Sequence, residues 1–193
     1  MFRHLRPACL LFAAAAAFLP SAPALALDSA PAQTPTARDG SHDFDFNVGV
    51  WHTEITRRLH PFLPSSDVMR LSGTVTIRKV WGGKGLVEEI EADGPKGHWH
   101  GMSLFLYDPA ARQWSQTFIN SASGAFQPGM IGSFKDGKAE LYLLDTLDGR
   151  SVLLRATWSD IKATSHRYEE HFSDDGGKTW VMSFSALKTK AAS

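Results

Sequence analysis

The sequence predicts an all-β protein that folds as an antiparallel up-and-down barrel of about ten strands. Apolar and polar residues alternate with a period of two through most of the chain after residue 42, and no helical spacing is sustained there. Turn pairs such as Asp-Gly and Gly-Gly separate the alternating segments at short intervals. A content of 16 Gly, 10 Pro and 11% aromatic residues also favours β structure.

Length and charge further restrict the class of protein. A chain of 193 residues predicts a single domain, and 43% hydrophobic with 21% charged residues is typical of a globular protein. The 20 basic residues balance the 20 acidic ones. Because nucleic-acid binders usually carry a basic excess or stripe, we expect no nucleic-acid partner.

Residues 1–26 are predicted to be a secretory signal peptide. Arg3 and Arg6 form a basic start, an apolar run covers 8–19, and 24–26 read Ala-Leu-Ala, a small-residue cleavage site. The run is shorter than the about 20 residues that span a membrane, although a retained N-terminal anchor is the alternative. We therefore expect an exported protein, periplasmic or extracellular, without stable membrane insertion after cleavage.

A polar, proline-interrupted segment, 27–41, follows the cleavage site and is predicted to be a flexible leader. The folded domain is predicted to cover 42–188. The chain's single cysteine, Cys9, lies within the signal peptide. The exported chain would therefore contain no disulfide, thiol nucleophile or thiolate metal ligand.

The alternating segments define the predicted strands, which are 50–60, 68–81, 85–92, 98–107, 112–120, 130–135, 138–146, 150–159, 165–173 and 179–187. Short turns join most neighbours, so the strands are predicted to form a meander. Closing such a sheet removes its edge strands, which favours a barrel. An open sandwich of two sheets is the alternative.

Several segments resemble a group of secreted bacterial proteins of unknown function with a calycin-like fold. The resemblance begins with His-Asp-Phe-Asp-Phe at 42–46 and Gly-Val-Trp at 49–51. Further matching segments are 78–81, 104–109, 112–115 and 172–180. Calycins include lipocalins, fatty-acid-binding proteins and nitrobindin-like barrels, so the resemblance over 42–188 implies a barrel with Trp51 plugging one end. It implies no established reaction.

Residues 173–180 fit the Asp-box pattern S-x-D-x-G-x-T-W. In sialidase propellers this pattern repeats once per blade, whereas this sequence contains one copy. We interpret it as a hairpin turn whose Asp and Ser side chains bind turn amides.

His98 and His100 are two residues apart on a predicted strand and would point to the same face. Two imidazoles at this spacing can bind Zn, Cu or Ni. No third ligand stands at a diagnostic spacing, so solvent-facing, hydrogen-bonded side chains are the favoured interpretation and no metal ligands are assigned.

The resemblance to nitrobindin-like barrels raises haem as a ligand, because those relatives bind it through a histidine late in the chain. His166 and His171 are the late candidates here, and neither stands in the His-Leu context of that motif. We expect no cofactor.

Some polar residues share the parity of the apolar face of their strands. These are Arg57, Glu88, Gln116, Asn120 and Glu170. Buried polar groups need partners, so they pair internally, for instance Arg57 with Glu88, or orient a ligand in a cavity. Exposure at a strand end is the third alternative.

The favoured function is binding of a small apolar or amphipathic ligand inside the barrel. The predicted ligand-binding residues are Arg57, Glu88, His98, Gln116, Phe118, Asn120 and Tyr168. The predicted lining of the interior comprises Ile55, Leu71, Val75, Leu104, Phe118, Leu154, Met182 and Phe184. The alternative is an enzyme that uses Glu88, His98 and Arg57 for acid–base chemistry on a small substrate.

Overall fold

The computed structural model describes residues 39–64 and 67–191, and these residues form eleven β-strands. The strands are β1 (Gly49–Arg58), β2 (Val68–Val80), β3 (Gly85–Gly94), β4 (Gly97–Asp108), β5 (Gln113–Asn120), β6 (Ala125–Phe126), β7 (Met130–Lys135), β8 (Lys138–Leu147), β9 (Arg150–Lys162), β10 (Ser165–Ser173) and β11 (Val181–Lys190). The predicted signal peptide and most of the predicted leader lie outside the described residues. Within the described part of the chain, no helix is long and apolar enough to cross a membrane.

The strands close into an antiparallel up-and-down barrel. Neighbours in sequence pair with each other, except that the two-residue β6 pairs with β5 alone and β7 takes the next place in the barrel. β1 pairs with β11, with Trp51 opposite Lys190, and this pairing closes a ring of ten strands. The predicted barrel is confirmed, and the two-sheet alternative is wrong.

One end of the barrel is closed by the segment that precedes β1. A short 3-10 turn, Asp45–Asn47, places Phe44 among the inward-facing rings of several strands. Phe44 is fully buried, and its ring lies 5.1 Å from the rings of both Trp114 and Trp158. Aromatic rings at this separation pack favourably. Among the described residues, no aromatic side chain is fully buried at the opposite end.

Trp51 lies at this closed end, as the sequence predicted. It is buried, and its indole Nε1 donates a hydrogen bond of 2.7 Å to the carbonyl oxygen of Asn47. The Lys190 ammonium lies 4.4 Å from the centre of the indole ring. Trp51 therefore ties the plugging segment to the first strand.

A β-bulge interrupts the pairing of β10 with β11. Glu170 lies opposite Phe184 and His171 lies opposite Met182, so Ser183 has no residue opposite it. An extra residue reverses the inward-outward alternation of a strand. Met182, predicted to face the interior, is consequently exposed on the outer surface.

The Asp-box segment forms the turn between β10 and β11. The Asp175 Oδ1 atom accepts hydrogen bonds from the backbone amides of Lys178 and Thr179, both at 3.0 Å. Gly176 and Gly177 adopt the positive φ angles of 75° and 88°, which glycine adopts with little strain. The interpretation of this motif as a hairpin turn is confirmed.

Candidate ligand cavity

The barrel interior contains a cavity of about 420 Å³. Inward-facing side chains of the strands line it, so its position follows from the alternation of the strands. Residues near the beginning of β1 lie at the plugged end, and residues near its end lie at the opposite end. We call the opposite end the open end, because Arg57 lines the cavity there and is also exposed. The cavity extends from Thr53 towards Arg58 along this strand.

Most of the predicted lining is confirmed. Ile55, Val75, Phe118, Leu154 and Phe184 all line the cavity.

Three residues of the predicted lining are absent from it. Leu71 faces inward but packs against Ile55 and Ala92 beside the cavity. Leu104 lies on the other face of its strand, because Ser103 is the inward residue there. Met182 is displaced by the bulge, as described above.

Arg57 lies at the open end of the cavity. Its side chain is exposed yet lines the cavity, and in the barrel wall it stands opposite Phe184. Arg58 and Asp145 also line this end. Guanidinium groups here can donate two hydrogen bonds to one carboxylate or carbonyl group of a ligand.

Tyr168 and Glu170 form a hydrogen-bonded pair on the inward face of β10. The Tyr168 hydroxyl donates to the Glu170 Oε1 atom over 2.7 Å. Burial raises the pKa of Glu170, although the Tyr168 hydroxyl and the charge of Arg57 oppose the shift. Burial and the neighbouring carboxylate also hold the pKa of Tyr168 well above its ordinary value.

A buried ion pair lies deeper in the cavity. The Lys188 ammonium donates a hydrogen bond to the Glu88 Oε1 atom, and both residues are buried. The Lys188 Nζ atom also lies 3.5 Å from the Oδ1 atom of Asn47, in the segment that closes the barrel. The alternative that Glu88 pairs with Arg57 is therefore wrong.

Lys188 is a cavity residue that the sequence analysis missed. It shares the inward parity of Phe184 and Ala186, so extending the last predicted strand beyond residue 187 would have identified it. Thr53, Trp99 and Ser103 were also missed.

Gln116 and Ser103 form a second polar contact near the ion pair. The Gln116 Nε2 atom donates to the Ser103 Oγ atom over 3.0 Å. The Gln116 Oε1 atom and the Thr53 Oγ1 atom are buried without a hydrogen-bond partner among the described residues. Unpartnered polar atoms beside a cavity can hydrogen-bond a bound molecule.

Asn120 and Trp99 lie closer to the open end. The Trp99 Nε1 atom donates to the Asn120 Oδ1 atom over 3.3 Å, and the Trp99 ring stacks on Phe118 at 6.0 Å. All three residues line the cavity. They supply an aromatic wall with an amide at its edge.

His98 does not reach the cavity. It is exposed on the outer face of β4, next to the inward-facing Trp99, and hydrogen-bonds to Asp93. The catalytic group of the alternative enzyme hypothesis, which consists of Glu88, His98 and Arg57, is therefore not assembled. Strand alternation places two of its members inside the barrel and the third outside.

The late histidines do not line the cavity either. His166 is fully buried at the plugged end, where its ring packs against Trp51 at 4.5 Å. Burial, with the charges of Lys188 and Lys190, lowers the pKa of His166 to about 3. Neither ring nitrogen has a hydrogen-bond partner in the described part of the chain. His171 is half-buried on the outward parity of its strand.

The family profile described as "Protein of unknown function (DUF1579)" matches residues 42–186. The chain belongs to this family. A search of the curated proteins found no match for this DUF1579 protein.

Two solved structures are similar to this DUF1579 protein. The S-type phycobiliprotein lyase CPES from Guillardia theta has a TM-score of 0.55 and 10% identity, covering 81% of this chain and 95% of its own. The redesigned β-barrel mFAP1, bound to DFHBI, has a TM-score of 0.41 and 7% identity, covering 79% and 100%. At such low identity, the similarity to the lyase shows the fold alone.

Proposed function

We propose that this protein binds one small amphipathic molecule in the barrel cavity. The observation that supports this proposal is a cavity of about 420 Å³ that combines aromatic walls with buried polar groups. Small-molecule sites usually measure about 300–1,000 Å³ and have mainly apolar walls with a few polar groups that fix orientation. The barrel interior supplies this combination in one cavity.

The open end favours an acidic or carbonyl-bearing group on the ligand. The guanidinium groups of Arg57 and Arg58 line this end of the cavity. A guanidinium group binds carboxylate oxygens in a charge-assisted geometry. We therefore place the ligand's carboxylate or carbonyl group beside Arg57.

The aromatic wall of the cavity favours an apolar segment of the ligand. Trp99, Phe118 and Phe184 line the cavity together with Leu154. Removing apolar ligand surface from water contributes about 25 cal/mol per Å². The ligand's hydrocarbon or ring portion would supply this surface.

The deep end favours a hydrogen-bond donor at the far end of the ligand. The buried Gln116 Oε1 atom accepts no hydrogen bond from the described residues. A hydroxyl or amide N–H of the ligand would satisfy it, which is worth about 0.5–1.5 kcal/mol. The proposed ligand thus has an apolar middle and two polar ends.

We further propose that binding takes place outside the cytoplasm. The support is the basic start, apolar run and small-residue site of 1–26. Intact-mass analysis of exported protein should find an N-terminus at Leu27. Retention of 1–26 in a membrane fraction would support an anchor instead.

Binding is tested by titration with a straight-chain fatty acid and its ω-hydroxy analogue. Tryptophan fluorescence reports occupancy, because Trp99 and Trp158 line the cavity. We expect saturable binding with one ligand per barrel, and tighter binding of the ω-hydroxy acid. Gln116→Met should abolish the preference for the hydroxyl group while the plain fatty acid still binds.

Two further variants test the position of the ligand. Arg57→Leu should weaken carboxylate binding about tenfold, whereas Arg78→Leu, an exposed arginine outside the cavity lining, should not. Ala186→Phe, which puts a ring into the cavity, should block binding. The proposal fails if neither acid binds saturably, or if folded Ala186→Phe binds as tightly as the unmodified chain.

A further inference from the structure

We propose that His98 and His100 form an exposed binding site for one Cu²⁺ ion. Both side chains are on the outer face of β4, next to the hairpin turn that joins it to β3. Their Nε2 atoms are 2.9 Å apart, and the two rings are nearly perpendicular at 86°. The site is separate from the cavity, because neither histidine lines it.

The separation of the two nitrogens fits a right-angled pair of metal ligands. Metal–imidazole bonds are about 2.0–2.1 Å long, so two nitrogens 2.9 Å apart subtend an angle of about 90° at a shared metal ion. A tetrahedral site needs about 109°, with nitrogens about 3.3–3.4 Å apart at the same bond length. Right-angled nitrogen ligands are typical of square-planar or tetragonal Cu²⁺ and Ni²⁺.

Asp93 prepares one of the two imidazoles for a metal ion. The His98 Nδ1 atom lies 2.8 Å from the Asp93 Oδ1 atom. A carboxylate only accepts hydrogen bonds, so the His98 Nδ1 atom carries the proton and, in the neutral ring, the Nε2 atom keeps its lone pair free. A carboxylate bonded to the outer nitrogen of a histidine ligand is common at metal sites, where it fixes the tautomer.

The metal-free pair is held together by one hydrogen bond. Since the His98 Nε2 atom is the acceptor, the His100 Nε2 atom donates its proton to it. Binding of the ion moves the His100 proton to its Nδ1 atom, and both Nε2 atoms then face the metal.

The choice of Cu²⁺ follows from the number of protein ligands. Among the described residues, no group of three or more His, Cys, Asp or Glu side chains is arranged to hold a metal ion. Two imidazoles with water in the remaining positions form a weak site for most divalent ions, and Cu²⁺ binds most tightly in the first-row series. Zn²⁺, which favours a tetrahedral site, should bind more weakly.

The site is tested by titrating the full chain with Cu²⁺ and recording electron paramagnetic resonance spectra. Cys9 is alkylated where it is present, because a thiol binds and reduces copper. We expect one tightly held Cu²⁺ with an axial spectrum and two coordinated imidazole nitrogens. His98→Asn and His100→Asn should each weaken binding at least about tenfold and leave one imidazole, because chelation is lost.

Two variants separate this site from adventitious copper binding. His52→Asn is the matched control, because His52 is also exposed and its Nε2 atom lies 2.9 Å from the Glu54 Oε1 atom. Within the described residues, His52 has no contact with a second imidazole. This variant should leave the tight Cu²⁺ unchanged. Asp93→Asn should weaken binding about 10-fold or more while two imidazoles stay coordinated. Equal Cu²⁺ binding by His98→Asn, His100→Asn and the unmodified chain would overturn the proposal.

Discussion

Lys188 on β11 donates a hydrogen bond to Glu88 on β3 across the interior of the barrel. The two strands are separated by β2 and β1 in the barrel wall, so the contact joins residues that no strand pairing brings together. Both residues are buried, and their pair forms part of the cavity surface. The two charges therefore depend on each other for stability and give the deep end of the cavity its polarity.

Removing one partner of this pair should be strongly destabilising. Glu88→Gln leaves the Lys188 ammonium buried without its counter-charge, and we expect the free energy of unfolding to fall by about 3–5 kcal/mol. The double variant Glu88→Leu, Lys188→Met removes both charges and should cost much less than the two single variants together. Denaturant unfolding measures all of these changes.

An exposed ion pair provides the control for this comparison. The Lys79 Nζ atom lies 2.7 Å from the Asp45 Oδ2 atom on the surface. Lys79→Met should lower the free energy of unfolding by at most about 1 kcal/mol. If Glu88→Gln lowers the free energy of unfolding by no more than Lys79→Met does, then Lys188 does not depend on Glu88 in the way that burial of the pair implies.

The stability of the barrel should fall as the solution becomes acidic, through His166. Its pKa is lowered from 6.5 to about 3 in the folded chain, so the unfolded chain takes up the proton first as the pH falls. The contribution is fully present above pH 6.5 and is lost progressively towards pH 3. Between pH 7 and pH 4 the loss should be about 3 kcal/mol.

His166→Phe isolates this contribution, because phenylalanine keeps a ring beside Trp51 but cannot be protonated. Subtracting its pH profile of unfolding free energy from that of the unmodified chain should leave the His166 contribution. His52→Phe changes an exposed histidine and should leave the profile nearly unchanged. Parallel profiles for His166→Phe and the unmodified chain would contradict the assigned environment.

Trp51 should be essential for the plugged end. Trp51→Ala removes a buried indole and its hydrogen bond to Asn47, which should cost about 3–5 kcal/mol. Trp81 is 72% exposed, so Trp81→Ala should change stability by no more than about 0.5 kcal/mol. Thermal unfolding compares the two variants, and a Trp51→Ala protein that melts close to the Trp81→Ala protein would show that Trp51 does not hold the plug.

The sequence predicted the fold well because half-buried strands produce a regular pattern. A period of two, interrupted by turn residues, identified ten strands and their meander order. The inward direction of Glu88, Gln116 and Tyr168 followed from the same alternation. Barrel closure brought their side chains into one interior.

The failures occurred where alternation was ambiguous or broken. In β4, Leu104 faces outward while Ser103 faces the cavity, so apolar residues occupy both faces and polarity does not determine direction. In β11, the bulge at Ser183 breaks the alternation between Phe184 and Met182. Phe184 therefore faces inward, whereas Met182 faces outward. The pairing of Glu88 with Lys188 depends on which side chains meet across the interior of the closed barrel. Residue spacing along a single strand does not reveal this.

A crystal structure of the protein grown with a saturating ω-hydroxy fatty acid would show whether the barrel interior holds one small molecule. We expect continuous electron density between Trp99 and Phe184, with the carboxylate within hydrogen-bond distance of Arg57 and the hydroxyl group beside the Gln116 Oε1 atom. A cavity filled by protein side chains, or one that holds no such density in these crystals, would contradict this expectation.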